Sequence, residues 1–206
     1  VNRQLVALLA HDLKNQLGLL EAELAALSPN PDPAAAVRAH QHCAQLRQRL
    51  VAYLTLYGGG GAGGRLSAQL VDESPQDFLL SLQHIASRPP LAPLQVLPAP
   101  AGLPPFWYFD ARLLRLALEA ALHNAWRFAR HEVCLSVAAH DGGLEFRVDD
   151  DGPGPGSPDP SAQSSTGLGM QLCAAVARAH RRDALRGRVS LLPRPQGGTR
   201  FALWLP

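Results

Sequence analysis

Asp150-Asp151-Gly152-Pro153-Gly154 closes a strand-like run, Leu144 to Asp150, with carboxylates that lead straight into a glycine turn. The alternation before it is that of a half-buried strand, and Asp141-Gly142-Gly143 ties it to a second strand, Glu132 to Ala139, as a hairpin. Upstream, Asp110 caps a helix through about Ala129, with Leu113, Leu114, Ala117, Leu118, Ala121 and Leu122 as its buried face. Downstream, Gly152 to Ser165 is too rich in Gly, Pro and Ser for regular structure and precedes a helix from about Leu168 to His180. Two terminal strands, Val189 to Leu192 and Arg200 to Leu205, flank Gly197-Gly198. The pattern predicts an α+β fold, a mixed sheet with its helices segregated on one face.

Further toward the start, Arg65 to Asp72 alternates like a strand, and Ser74-Pro75-Gln76-Asp77 opens a helix expected to end near Ser87. A Pro-rich loop follows, broken by a short strand at Leu94 to Leu97. Six of the seven residues from Gly58 to Gly64 are Gly, which marks a flexible boundary. The expected domains are therefore residues 1–57, a linker at 58–64, and 65–206.

The first domain reads as an antiparallel helical hairpin. Leu5, Leu9, Leu13, Leu17, Leu20, Leu24 and Leu27 recur at helical spacing, Asp32-Pro33 is an N-cap followed by a first helical residue, and Cys43, Leu46, Leu50, Tyr53 and Tyr57 form the second stripe. A lone hairpin cannot cover such seams on both sides, so a homodimer is expected, with a four-helix bundle at its centre.

With 19 Lys and Arg against 17 Asp and Glu, a net charge of +2 and no basic run, the 206-residue chain has no nucleic-acid footprint. Its 47% apolar and 17% charged residues are those of a globular protein. Cys43, Cys134 and Cys173 are too scattered for a disulfide framework or a zinc site, which suits a reducing, cytoplasmic setting. No run approaches the roughly 18 apolar residues of a membrane span, so no membrane contact is expected from these residues. A helical pattern already running at Val1 suggests a piece of a longer protein, whose N-terminal region could be anchored in the inner membrane.

Four clusters carry chemistry. On a helical wheel at about 100° per residue, His11, Asp12 and Asn15 share the face opposite the leucine stripe, where a neutral imidazole can act as a nucleophile. In the helix after Asp110, Asn124 offers an amide oxygen to Mg²⁺, Arg127 a guanidinium to a phosphate and Phe128 a ring to a base. Asp150 can accept from an exocyclic amine such as that of adenine, while Gly152 and Gly154 allow close backbone approach. Thr166-Gly167-Leu168-Gly169 opens a helix whose free amides favour a polyphosphate. Each also has a plainer reading, as a solvated histidine, a polar helix end or a turn.

Together and in this order, the clusters resemble the cytoplasmic core of a sensor histidine kinase over nearly the whole chain. His11-Asp12-Leu13-Lys14-Asn15 is similar to the H-box, Asn124 with Arg127 and Phe128 to the N-box, Asp150 to Gly154 to the G1-box, Gly167-Leu168-Gly169 to the G2-box, and Gly197-Gly198-Thr199 to the end of the catalytic domain. The resemblance implies a dimerisation and phosphotransfer hairpin followed by an α/β-sandwich ATP-binding domain of histidine-kinase and gyrase type. In that picture Asp150 reads adenine, Asn124 holds Mg²⁺, Arg127 and the Gly167 to Gly169 amides steady the phosphates of ATP, and His11 takes the γ-phosphoryl group. Asp12 orients or deprotonates His11, and Asn15 positions water for a phosphatase reaction. The partner is a response-regulator receiver domain, whose aspartate accepts the phosphoryl group.

The chain departs from the pattern at three points. Gln16 stands where a Pro is usual, Ala120 where a polar residue is usual one turn before Asn124, and Ser165, two before Gly167, where a Gly is usual at the end of a short Pro-rich lid. Two other readings therefore stand beside the kinase. One is a non-catalytic phosphotransfer or scaffold protein with a degenerate ATP-binding domain. The other is a stand-alone ATPase, which leaves the shared face of His11, Asp12 and Asn15 unexplained.

Overall fold

The computed structural model describes residues 3–28, 31–57, 66–83, 92–158 and 167–206, with side chains in the first helix from Leu13 onward. Contacts divide the chain into two compact units, Val1–Arg65 and Leu66–Pro206. The expected linker, residues 58–64, lies outside the described residues.

The first unit is a hairpin of α1 (Arg3–Leu27) and α2 (Pro33–Tyr57). Asp32 caps α2 as its sequence demands, with Oδ1 accepting from the Ala34 amide at 2.9 Å and Pro33 as the first helical residue. Leu20, Ala39 and Leu46 make the seam, with Leu13 and Leu27 packed against it. The leucine stripe of α1 is thereby split, because Leu17 and Leu24 remain exposed. On α2 the structure corrects the predicted stripe. Leu46 is buried, but so are Ala39, His42 and Ala52, whereas Cys43 and Leu50 are exposed. Periodicity alone favours the face with the larger apolar side chains; the face turned to α1 contains a histidine that finds polar partners there.

The second unit is built on a five-stranded sheet in the order β2-β4-β5-β9-β8. Its strands are β2 (Leu94–Val96), β4 (Val133–His140), β5 (Gly143–Asp150), β8 (Arg188–Pro193) and β9 (Thr199–Leu205). Only β2 and β4 run parallel, so the sheet is mixed, as expected. The β4–β5 hairpin turns on Asp141 and Gly142, both at positive φ, which a two-residue turn of this hand requires. Along β4 and β5 the inward residues are Val133, Leu135 and Val137, then Leu144, Phe146 and Val148. Against them pack α3 (Pro75–Leu82) and α4 (Ala111–Phe128), while α5 (Leu168–Ala179) lies against α4, β8 and β9. Phe78, Phe109 and Phe146 meet edge to face at centroid distances of 5.3 to 5.9 Å.

Two caps set the helices. Ser74 accepts from the Asp77 amide at the start of α3, and Asp110 from the Arg112 and Leu113 amides at the start of α4. The six predicted buried residues of α4 are all buried, joined by Ala125 and Trp126. The strand expected over Arg65 to Asp72 is only β1 (Val71–Glu73), paired with β3 (Trp107–Phe109), which no sequence pattern announced. The reason lies far along the chain: the Gln69 amide donates to Asp110 Oδ2 at 2.9 Å, which takes it out of a ladder and fastens it to the head of α4. Helix α3 ends at Leu82, and its expected continuation to Ser87 falls outside the described residues. After α5, a tight hairpin of β6 (Arg181–Arg182) and β7 (Leu185–Arg186), also unforeseen, precedes β8.

His180 caps the end of α5 and is 1% exposed. Its Nδ1 faces the Val176 carbonyl at 2.8 Å and its Nε2 accepts the Asp110 amide at 3.0 Å, an arrangement that requires the neutral ring. Burial lowers its pKa below 6.5, against the Val176 carbonyl and the Asp110 charge, which favour protonation. Below about 6.5 the unfolded chain takes up a proton that the folded one refuses. Stability from this residue is therefore present above that pH and falls as pH drops toward the folded pKa. Urea unfolding followed from pH 7.5 to 5.5 is expected to show a pH slope that His180→Gln reduces.

Candidate nucleotide site

β5 delivers Asp150, 4% exposed, to the end of the sheet beside the start of β9. Its Oδ1 accepts from the Gly152 amide at 2.8 Å and the Thr199 amide at 3.2 Å. Burial pushes the carboxyl above its usual range, opposed by the Gly152 and Thr199 amides, the Thr199 hydroxyl and Arg194. The backbone around it is close-packed. A Cβ on Gly152 would lie 2.5 Å from the Phe128 carbonyl oxygen, and one on Gly198, at φ +92, would lie 2.0 Å from that of Asp150. Glycine is obligatory at both positions. Gly154 has φ +101 and faces the Gly198 carbonyl at 3.7 Å from a built Cβ.

The structure thus brings Asp150, Gly152, Gly154, Thr199 and the backbone of Phe128 together. Asn124 lies one turn before Phe128 on α4, exposed, with Oδ1 accepting from Arg127 Nη2 at 3.1 Å, while the Arg127 guanidinium stands 5.0 Å from the Phe128 ring centre. One turn earlier again, Ala120 faces the first turn of α5, 3.9 Å from where a Gly169 Cβ would be. From Ala120 to Phe128 this face of α4 runs roughly 12 Å, from the glycines of α5 to the buried carboxylate. Gly167 begins α5 at φ +65 with no side-chain cap, so the Leu168 and Gly169 amides of the first turn are not claimed by it. Thr166 lies outside the described residues. In the first unit Asn15 is exposed on α1; His11 and Asp12 are on the same helix, their side chains outside the described residues.

Two residues that hold the site, Arg194 and Arg200, escaped the sequence, and for a third, Asp151, only its place in the glycine turn was read from it. Arg194 Nη1 donates to the Asp150 carbonyl at 2.7 Å, and its Nε lies 3.8 Å from Asp149 Oδ2. Arg200 grips both oxygens of Asp149, at 2.9 and 2.7 Å, and Asp149 raises its pKa further. Asp151 accepts from the Arg130 and His131 amides, and with the Glu132 amide and the His131 ring these hold its carboxyl well below the usual range, although burial opposes them. Asp151 thereby fixes the exit from α4. The Asp-Asp-Asp run signals carboxylates at a strand end, but not that each faces a different partner.

As a cradle for a nucleotide the arrangement fits: a buried acceptor for an amine, glycines where a Cβ would collide with backbone, and α5 amides to which the N-cap Gly167 gives no side-chain partner. For Mg²⁺ this face of α4 offers the neutral oxygen Asn124 Oδ1, Ala120 contributes none, and no group of three His, Cys, Asp or Glu forms a metal site among the described residues. That suits a metal carried in on phosphates, the usual mode for Mg²⁺.

Residues 109–206 match the family described as histidine kinase-, DNA gyrase B-, and HSP90-like ATPase. The chain is 33% identical over 119 residues to the sensor protein kinase CarS of Pseudomonas aeruginosa, a match covering 52% of this chain and 25% of that protein. It thus spans about a quarter of that relative's length. Among solved structures it is similar to the ATP-binding domain of PrrB from Mycobacterium tuberculosis, at 29% identity and TM-score 0.52 over 66% of this chain and 96% of that one. The Acinetobacter baumannii histidine kinase AdeS shares the fold at 18% identity and TM-score 0.57, over 95% of this chain and 96% of that one. The cytoplasmic segment of the histidine kinase QseC does so at 20% identity and TM-score 0.52, over 79% and 93%.

Proposed function

We propose that residues 109–206, which match the histidine kinase-, DNA gyrase B-, and HSP90-like ATPase family, are the ATP-binding core of a sensor histidine kinase, and that this chain phosphorylates its own His11 and passes the phosphoryl group to a response regulator. The observation that carries the reading is Asp150, buried and held by the Gly152 and Thr199 amides at the edge of a glycine cradle. Asp150 accepts the adenine amine, the Gly167 to Gly169 turn and Arg127 receive the phosphates, and Asn124 supplies an oxygen to their Mg²⁺. A His11 ring nitrogen attacks the γ-phosphorus; the N–P bond forms as the bond to the β,γ-bridging oxygen breaks, and ADP leaves. Asp12 takes up the ring proton or orients the ring. Such transfer is mostly positioning and charge neutralisation, so the Gly-rich stretch at 58–64 belongs to the mechanism as the joint between nucleotide and His11.

Exposed Leu17 and Leu24 on α1, with Leu50 and Leu54 on α2, are the apolar surface a second hairpin would cover in a homodimer. A receiver domain would dock on the same hairpin. No helix among the described residues is long and apolar enough to cross a membrane; a cytoplasmic core below an inner-membrane sensor is the setting we propose.

The test is incubation with γ-labelled ATP and Mg²⁺, scoring acid-labile, base-stable label and its transfer to a receiver domain. Label on the protein supports the kinase; no label, with His11 still accepting phosphate from a phosphorylated receiver, replaces it by a relay. Asn15→Ala is expected to slow loss of phosphate from the receiver about tenfold or more, with labelling of His11 retained, as checked by timed electrophoresis of both proteins.

A further inference from the structure

His42 is 4% exposed in the middle of the apolar hairpin seam, and both of its ring nitrogens are engaged by α1. Nε2 lies 2.8 Å from Gln16 Oε1 and Nδ1 lies 3.2 Å from Glu23 Oε2. Gln16 and Glu23 are seven residues apart, two helical turns, so one imidazole spans two turns of the opposite helix. Apolar packing brackets this layer through Leu13, Leu20 and Leu27 on α1 and Ala39 and Leu46 on α2.

A buried polar side chain in a helical seam is costly unless its partners are opposite it. Sliding α1 by a turn, or rotating it by one residue, would leave His42 facing leucine. A single polar layer of this kind fixes register in coiled-coil packing. What distinguishes this layer is its location. Gln16 follows Asn15 and stands one turn after Asp12 on the same strip of helix, an i, i+4 pair. Helix α1 runs without interruption from Arg3 to Leu27 through Gln16. The rotation that presents His11, Asp12 and Asn15 is therefore set by the same helix that His42 grips.

We propose that His42 is a positioning residue for the phosphoacceptor turn: through Gln16 and Glu23 it fixes the rotation and register of α1 at which His11 meets its phosphoryl donor. Gln16, where a proline is usual in the family this chain resembles, supplies the polar side chain toward Nε2 that a proline lacks. The inference rests on the reading of His11 as phosphoacceptor, and it deepens that reading without altering the chemistry.

The test compares Gln16→Ala, His42→Leu and Gln16→Glu with the unaltered chain, using two donors, ATP with Mg²⁺ and phosphoramidate. Phosphoramidate phosphorylates histidine without a nucleotide site, and His11→Gln gives the background from other histidines. Gln16→Ala and His42→Leu are expected to lower kcat for labelling from ATP about tenfold, with KM for ATP unchanged because the nucleotide unit is untouched. Gln16→Glu, which keeps an oxygen within reach of Nε2 at the place of Gln16 Oε1, is expected to restore most of the rate. The same order is expected with phosphoramidate. Far-UV circular dichroism checks that the hairpin persists; Ala at position 16 favours helix, so that variant keeps the comparison open should His42→Leu unfold.

Wild-type rates in folded Gln16→Ala and His42→Leu overturn the proposal, as does a loss that Gln16→Glu fails to restore. If the unaltered chain takes no label from ATP but phosphoramidate labelling follows the expected order, the kinase reading fails and the positioning role stands. If ATP labels all four proteins alike, the kinase reading stands and the positioning role fails. A chain inert to both donors overturns both.

Discussion

Asp150→Asn is expected to weaken ATP binding by about 100-fold or more, close to 3 kcal/mol, and to abolish labelling, whereas His11→Gln abolishes labelling and leaves ATP affinity within about a factor of two. The two substitutions separate binding from acceptance. Asparagine keeps one carbonyl oxygen for the Gly152 and Thr199 amides, so the turn survives. Its NH₂, however, stands where the second carboxylate oxygen was, and two donors then meet at the adenine amine. Because burial already pushes the Asp150 carboxyl upward, removing its charge relieves a cost of the empty site. The unliganded variant is therefore expected to melt no lower than the parent while losing the upward shift that ATP gives the parent. Titration calorimetry with ATP and melting curves with and without nucleotide check both halves; an Asp150→Asn protein with parental affinity would remove this residue from base recognition.

Gly198→Ala is expected to destroy nucleotide binding by a different route, with a loss of stability of about 3 kcal/mol or more in the second unit. The atoms a Cβ would strike are the Asp150 carbonyl oxygen and carbon, at 2.0 and 2.8 Å, and Asp151 Cα at 3.0 Å. All are backbone, so no rotamer change relieves the clash, and the start of β9 must part from the end of β5. That separation breaks the Thr199 bond to the carboxylate and disturbs the Arg194 bond to the Asp150 carbonyl. Gly197→Ala is the matched control, since Gly197 has nearly the same φ, +91, but nothing within 4 Å of a built Cβ. It is expected to show only the strain of the left-handed backbone, about 1 to 3 kcal/mol, and to keep ATP binding. Denaturant midpoints and ATP titrations on the two variants decide; equal behaviour would mean that the contact with Asp150 is unimportant.

The features that reasoning from sequence located are those whose cause is local. Asp32, Ser74 and Asp110 cap helices within three residues of themselves, and the Asp141-Gly142 turn closes on its own neighbours. Asp150 and Gly152 were visible as a carboxylate entering a glycine turn, and Thr199 through the glycines before it. What was not legible depends on partners distant in the chain. Gln69 was assigned to a strand, yet its amide is taken by an aspartate 41 residues on. His42 carries no apolar signal, and its burial depends on Gln16 and Glu23 in the other helix. Arg194, in a segment that reads as a Pro-containing loop, acquires its purpose only when β8 and β9 pair and bring it to the Asp150 carbonyl. The strands β6 and β7, two residues each, are too short to show a period at all.

The pairing of β5 with β9 also sets a timetable for the chain's synthesis. Asp150 and Thr199 are separated by 49 residues that include all of α5 and β8, and the carboxylate is fixed only when an amide made much later comes to lie beside it. While the ribosome is still translating α5, the strand end bearing Asp150 exists without its clamp, and the sheet lacks the strand that lies between β5 and β8. If this site holds ATP as proposed, the nascent chain cannot do so until the segment around Gly198 and Thr199 has left the exit tunnel. On the proposed reading, affinity for nucleotide is thus acquired late, once β9 has taken its place between β5 and β8.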